Sequence, residues 1–456
     1  LGFSDIPIPV KYPIHYYTQL KDHSQCCKKG MVIEHTAPDN PTVKFLLPGI
    51  IGSSVPEHQD KNVCIKGQNL MQDHYGFDSA YFVIQHFRPD IVMPINDIWG
   101  LYNINHLKNR HCFKFVPYLA IDSDCLFPAL VPPESRPGLP AIDSIRTIGS
   151  ANKVVVFTNW AKEVINKTCR IVTGGKELSN IEVIPHGVDS NVWKPLDPET
   201  KKLAREKYFG FGDNVFLIGV VARNQPRKRL DGILMMMKKF IDSGHEKNGK
   251  KIMCYFHSSL DDQNIGWDLK WLSAYYGVSD RVIFDKNLKP GMGPSEEQLN
   301  EIVNCFDVHC LFSNSEGWGL PIIETAAAGI PNLVSKYSAH ADWGKEALMF
   351  CKIGAYEHEP RTNFVKGIVD TDHAAHQLNL LYSSKELRKD YSKKGVALGK
   401  KLDWSNIQPM WEKIFNDIDT SDLKENRYDD PSALPEVQQQ QQQPNFSQLN
   451  LSYFPE

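Results

Sequence analysis

Short, nearly pure apolar runs alternate with longer amphipathic ones along this chain, and that alternation restricts the fold more than any other feature. The strand-like runs are Val43–Leu47, Ile91–Ile95, Lys114–Ile121, Lys153–Phe157, Ile181–Ile184, Val215–Ala222, Lys251–Phe256, Arg281–Phe284, Val308–Phe312, Asn332–Ser335 and Leu348–Ile353. The helix-like runs are Phe77–Phe87, Asn159–Cys169, Leu230–Ser243, Ile265–Tyr276, Ser295–Cys305, Pro321–Gly329, His373–Lys401 (as two helices) and Trp404–Ile418. A βαβα order argues for an α/β fold of mostly parallel sheets with helices on both faces. Several runs are apolar at every position, as strands buried on both faces must be.

At 456 residues the chain exceeds one ordinary core, so two or three domains are expected. The polar stretch His186–Lys202 interrupts the pattern before a fresh apolar strand begins at Val215. This predicts an N-terminal domain over 1–196, a C-terminal domain over 197–402, and a helix within 403–420 that crosses back to the first domain. The segment 429–456 contains six consecutive glutamines and has the composition of a disordered tail.

Fifty-one basic and 54 acidic residues leave a net charge of −3, which gives no electrostatic argument for a nucleic-acid partner. No apolar run approaches the roughly 18 residues of a membrane span, and peripheral membrane contact is left open. The first residues show neither the charged start nor the apolar middle of a signal peptide, and they lack a Met. Cys254, Cys305, Cys310 and Cys351 fall in apolar runs and are expected as buried, reduced thiols. A reducing, cytoplasmic setting is therefore expected.

Chemistry concentrates in SEGWGLPIIETAAAGIP, Ser315 to Pro331, where seven residues separate Glu316 from Glu324. A strand leads in, and a helix starting near Pro321 leads out. Gly317 and Gly319 allow a tight turn and close backbone approach to a ligand. The free N–H groups of a helix start suit a phosphate or diphosphate. Glu324, expected in the first helical turn, can reach back over the crevice that Glu316 borders. A plainer role exists for each acid, since carboxylates near a helix N-terminus stabilise its dipole.

A second stretch, FLIGVVARNQPRKRLDGIL, ends a buried strand at Arg223 and then presents Arg227, Lys228 and Arg229. Ligands of open parallel sheets bind beyond the carboxyl ends of the strands, where these cations stand. Arg offers phosphate oxygens a bidentate fork and Lys a point charge. A third stretch, IEVIPHGVDSNVWKP, carries His186 and is by itself only a strand, a turn and a linker.

Taken together, these motifs resemble the retaining glycosyltransferases of the two-Rossmann GT-B fold, group 1 (family 4). SEGWGLPIIETAAAGIP is similar to their E-x7-E signature, IPHGVDSNVW to their hinge, and GVVARNQPRKRLDGIL to their G-R…K strand and loop. YSAHADW and VVVFTNWAKEVI also resemble family segments. The match runs in order from about Phe82 to Phe415.

The resemblance implies a nucleotide-diphosphate sugar as donor substrate, bound by the C-terminal domain, and an acceptor glycan, lipid or protein on the N-terminal one. It implies that Glu316 contacts the donor sugar and Glu324 the ribose hydroxyls. Arg223 and Lys228 would hold the diphosphate, with Arg227 beside them and the N–H groups of Gly319 and Leu320 completing the site around Gly317. The chemistry implied is same-face substitution with retained anomeric configuration. The cations take the place of a metal, and no cofactor is expected. His186 stands where the family has Asn and is expected as a structural or donor contact. On the acceptor side Asp97, Asp122 and Asp124 are candidates for binding hydroxyls or assisting proton removal, and equally suit turns and caps. The family's opening strand and glycine loop have no clean counterpart, Leu46–Ser54 being the nearest substitute. A phosphorylase, an epimerase or an inactive sugar-nucleotide-binding protein on the same fold are the alternatives.

Overall fold

The computed structural model describes residues 87–124, 144–258, 266–285, 293–360 and 363–428, residues 80, 84 and 260, and four strands nearer the N-terminus. Those strands are Val32–Ala37, Asn40–Pro48, Cys64–Ile65 and Gln68–Asn69. Most of the expected helix Phe77–Phe87, most of Leu46–Ser54, and the glutamine-rich tail lie outside the described residues.

The chain divides into two compact units. Among the described residues, the smaller takes in the N-terminal strands, 80, 84, 87–92, 103–114 and 419–428. Within it, Val32–Ala37 and Asn40–Pro48 pair antiparallel, and Lys114 forms an ion pair with Asp422 at 2.6 Å.

The larger unit, whose described residues fall within 93–102 and 115–418, holds two parallel sheets. The first contains β1 (Ile95–Asp97), β2 (Tyr118–Ala120), β3 (Val154–Val156) and β4 (Ile181–Val183), in the order β4-β3-β2-β1. The second contains β5 (Val215–Val221), β6 (Lys251–His257), β7 (Val282–Phe284), β8 (Val308–Leu311), β9 (Asn332–Ser335) and β10 (Met349–Cys351). Its order is β7-β6-β5-β8-β9-β10, so the chain reverses direction across the sheet between β5 and β8. In such sheets the crevice beyond the strand ends at that switch point is where ligands bind.

Every residue of β5 is buried. Gly219 at its centre is required, because a Cβ there would lie 2.0 Å from the Phe306 ring. The connecting helices are α1 (Ser144–Gly149), α2 (Asn159–Thr173), α3 (Pro198–Phe209), α4 (Leu230–Asp242), α5 (Leu269–Tyr275) and α6 (Glu296–Asn304). They continue with α7 (Leu320–Ala327), α8 (Ala339–Trp343), α9 (Thr371–Ser383), α10 (Lys385–Lys401) and α11 (Trp404–Asp417). Ile233, Leu234, Met237 and Phe240 of α4 are fully buried in the core of the second sheet. Cys254, Cys305, Cys310 and Cys351 are buried and free, as expected. Trp411 of α11 meets the Tyr118 ring edge-on at 4.7 Å.

Three expectations need revision. The runs Ile91–Ile95 and Lys114–Ile121 are each broken in two, because Pro94 and Pro117 supply no N–H to a ladder. Helix α3 occupies what reads as linker; Asp197 caps it, accepting from the N–H groups of Glu199 and Thr200 at 3.1 Å, with Pro198 at its start. After β10 the chain forms an antiparallel hairpin, β11 (Ile353–His358) and β12 (Val365–Val369), from a segment too polar to read as paired strands.

Candidate active site at the glycine loop

Strand β8 delivers the loop Phe312–Gly319 to the switch point. Gly319 sits at φ +92°, the left-handed region, and turns the chain into α7. The helix begins at Leu320, so Pro321 is its second residue and Glu324 its fifth, one residue deeper than the sequence suggests. The N–H groups of Gly319 and Leu320 have no partner among the described residues. Beneath the helix, Thr325 Oγ1 donates to Asn332 Oδ1 at 2.9 Å, which also meets His309 Nδ1 at 2.6 Å. Burial pushes the His309 imidazole down to about 4, so it is neutral and serves as a fixed strut.

Glu316 is 4% exposed. Lys228 forms an ion pair with its Oε1, and Arg227 Nη1 lies 3.3 Å from its Oε2. Burial acts to raise this carboxyl, but the charges of Lys228 and Arg227 outweigh it and hold the group at about 2. The Glu316 N–H donates to Ser338 Oγ at 2.8 Å, and its carbonyl accepts from the Ala339 N–H at 3.3 Å. Ser338 sits at φ 59°, ψ −153°, a region that side-chain-bearing residues avoid. Gly317 presses against the end of β2, where an added Cβ would lie 3.0 Å from Ala120 Cβ.

The remaining predicted residues separate into groups. Arg223 is exposed just past the end of β5, and Arg227 is the second cation on Glu316. Arg229 pairs instead with Asp231 at 2.8 Å. Glu324 is half-buried, and its carboxyl has no hydrogen-bond partner among the described residues. Burial, aided by Glu296, pushes it up to about 8. His186 lies among the rings of Trp404, Phe157, Tyr118 and Trp318, with centroids 5.1 to 6.4 Å away, and its Nδ1 is buried without a partner. Burial holds it at about 4, so it is neutral there.

Asp97 ends β1 beside the end of β2, its partner in the ladder being Ala120. Burial first and then Asp122 push the Asp97 carboxyl up to about 7, against the pull of Arg227 and Lys366. Asp122 accepts from Ser123 Oγ at 3.1 Å. Asp124 forms an ion pair with Lys167 at 3.1 Å. Asp122-Ser123-Asp124 thus has an Asp-x-Asp spacing whose two carboxylates are separately engaged. Among the described residues no three His, Cys, Asp or Glu side chains gather as metal ligands. No described helix is long and apolar enough to cross a membrane.

Two residues at the site were not singled out as candidates from the sequence. Ser338, within the YSAHADW stretch, is one. Lys366 of β12 is the other, 7% exposed, with Nζ donating to Ser123 Oγ at 3.1 Å and Ser315 Oγ at 3.0 Å.

No protein-family model matches the chain. It is similar to the mannosylfructose-phosphate synthase of Agrobacterium fabrum, 26% identical over 202 residues, which are 41% of this chain and 42% of that protein. It is also similar to the D-inositol 3-phosphate glycosyltransferase of Stackebrandtia nassauensis, 30% identical over 235 residues, 51% of this chain and 47% of the other. The matches thus span less than half the length of these relatives. Among solved structures, sucrose-phosphate synthase from Thermosynechococcus elongatus superimposes with a TM-score of 0.54 at 14% identity, covering 75% of this chain and 78% of that one. Anabaena HepE in complex with UDP-glucose gives 0.55 at 14% identity, covering 77% and 84%. The fold is that of the GT-B glycosyltransferases.

Proposed function

We propose that this chain is a retaining glycosyltransferase, moving a sugar from a nucleotide-diphosphate sugar to an acceptor hydroxyl. The observation that carries the proposal is Glu316, a buried carboxylate held ionised by Lys228 and Arg227 within the glycine loop that opens a helix. Its relatives bear glycosyltransferase and synthase names, and the HepE neighbour was solved with UDP-glucose, which makes UDP-sugars the first donors to test.

In this reading residues 197–402 bind the donor and 1–196 the acceptor. The diphosphate lies over the N–H groups of Gly319 and Leu320. Lys228 and Arg227 share their charge between Glu316 and the phosphates, with Arg223 reaching in from the strand end. As the anomeric carbon becomes cationic, negative charge gathers on the departing diphosphate. Fixed cations and a helix start stabilise that charge without reorganising. Glu316 faces the sugar, and the open carboxyl of Glu324 takes the ribose hydroxyls. The leaving phosphate receives the acceptor proton on the same face, so configuration is retained and neither metal nor organic cofactor takes part.

The test is turnover of a nucleotide-sugar panel, with the product anomer assigned by NMR. Retained transfer by Glu316→Ala would refute the site, and an inverted product would refute the mechanism.

A further inference from the structure

The hairpin β11–β12 is pinned on both sides of one side chain. The Val365 N–H donates to the Asp124 carbonyl at 3.2 Å, and the Gly367 N–H donates to the Asn314 carbonyl at 3.0 Å. Tyr337 Oη donates to the Val365 carbonyl at 2.7 Å. Gly367 lies so close to that tyrosine that an added Cβ would stand 2.8 Å from Tyr337 Cγ. Between these fixed points Lys366 turns inward, and its Nζ sits between Ser123 and Ser315.

Those two serines belong to different sheets. Ser123 follows β2 and donates onward to Asp122. Ser315 precedes Glu316, and its carbonyl accepts from Arg227 Nη1 at 3.0 Å. One ammonium group therefore ties the acidic end of the first sheet to the glycine loop of the second. Three carboxylates, Asp97, Asp122 and Glu316, are matched here by three cations, Arg227, Lys228 and Lys366. A buried ammonium is costly to place unless its protons are hydrogen-bonded, and here two serine hydroxyls from different parts of the chain accept from it.

We propose that Lys366 is a positioning residue for sugar transfer, fixing Asp122 and the glycine loop relative to each other, with Asp97 at the adjoining strand end accepting a hydrogen bond from the acceptor hydroxyl. This rests on the glycosyltransferase reading. The groups acting on Asp97 are Asp122 beyond β2, Arg227 from the loop after β5, and Lys366 from β12; without Lys366 the first opposes ionisation with only Arg227 against it.

The test has two arms. The first needs no activity: urea unfolding of the full chain at pH 5 and pH 8, for wild type, Lys366→Met, Asp97→Asn and the double variant. Lys366→Met is expected to destabilise more at pH 8, where Asp97 is ionised, and this excess should vanish in the Asp97→Asn background. A pH-independent penalty, or an excess that survives Asp97→Asn, overturns the proposal. The second arm follows UDP-glucose turnover against pH. Lys366→Met is expected to move the acidic limb upward by about one pH unit, a tenfold change in proton affinity, and Lys366→Arg to restore it. An unmoved limb overturns Lys366 as a positioning residue while leaving the transferase intact. If wild type turns over no member of a nucleotide-sugar panel, the transferase reading falls, and the acceptor role of Lys366 with it, whatever the first arm gives.

Discussion

Ser338 grips Glu316 through the backbone: its Oγ accepts the Glu316 N–H at 2.8 Å while its own main chain occupies a region that favours glycine. Such strain costs on the order of 1–3 kcal/mol and persists only where the surroundings hold it. Ser338→Gly should therefore keep or raise the melting temperature while lowering turnover, because relief of strain and loss of the hydroxyl act in opposite directions. Ser338→Ala loses the hydroxyl and keeps the strain, so it should fall in both measurements. A Ser338→Gly enzyme with full activity would show that the hydroxyl does not position Glu316.

The Glu316–Lys228 pair is buried, and breaking one side leaves an uncompensated charge. Glu316→Ala is expected to cost about 3–5 kcal/mol of stability. The double change Glu316→Leu with Lys228→Met should recover much of that stability and none of the activity. Chemical denaturation beside a turnover assay separates the two effects. Additive stability losses in the double variant would contradict the pairing.

Stability should peak near pH 6.5. His186, His309 and His340 are held at about 4 by burial, below the ordinary 6.5, so the unfolded chain binds more protons and stability falls as pH drops from 6.5 towards 4. Asp97 and Glu324 are raised to about 7 and 8, so the folded state keeps protons that the unfolded chain has released, and stability falls as pH rises towards 8. Each proton of difference is worth about 1.4 kcal/mol per pH unit. Unfolding midpoints at pH 4.5, 6.5 and 8.5 test this, and Asp97→Asn with Glu324→Gln should flatten the alkaline side. A wild-type midpoint that still climbs from 6.5 to 8.5 contradicts it.

Gly317→Ala would place its new Cβ 3.0 Å from Ala120 Cβ, closer than carbon atoms pack comfortably. The loop must then shift, and misplacement of about 1 Å can cost 10²-fold in rate. Turnover is expected to fall while thermal stabilisation by UDP persists. Ala120→Gly on the same chain should restore the rate, and failure of that rescue would show that the contact does not set the loop.

Much of this architecture is legible in the sequence. Buried parallel strands such as Val215–Val221 announce themselves by apolar composition, and Gly317, Gly319 and Pro321 announce the turn into α7. Lys228 and Glu316 are legible as candidates, although their ion pair spans 88 residues and nothing local encodes it. Lys366 was hidden for the same reason: it follows Val365 in a polar hairpin, and only the folded chain brings it 3.1 Å from Ser123. Asn332, His309 and Thr325 look like polar interruptions of apolar runs until the fold joins them in one network. The YSAHADW stretch resembles a family segment, but nothing in it marks Ser338 itself, because an unusual backbone conformation at a non-glycine residue leaves no trace in composition.

Trp318 stands between Gly317 and Gly319, and its indole stacks on Trp343 at 4.9 Å with the planes 27° apart. His186 lies 6.4 Å from the same ring. The loop next to Glu316 therefore carries its own optical reporter. Any ligand that displaces it must change the overlap of two stacked indoles, so occupancy is written into the intrinsic emission of the protein, without a dye and without knowing which sugar is carried.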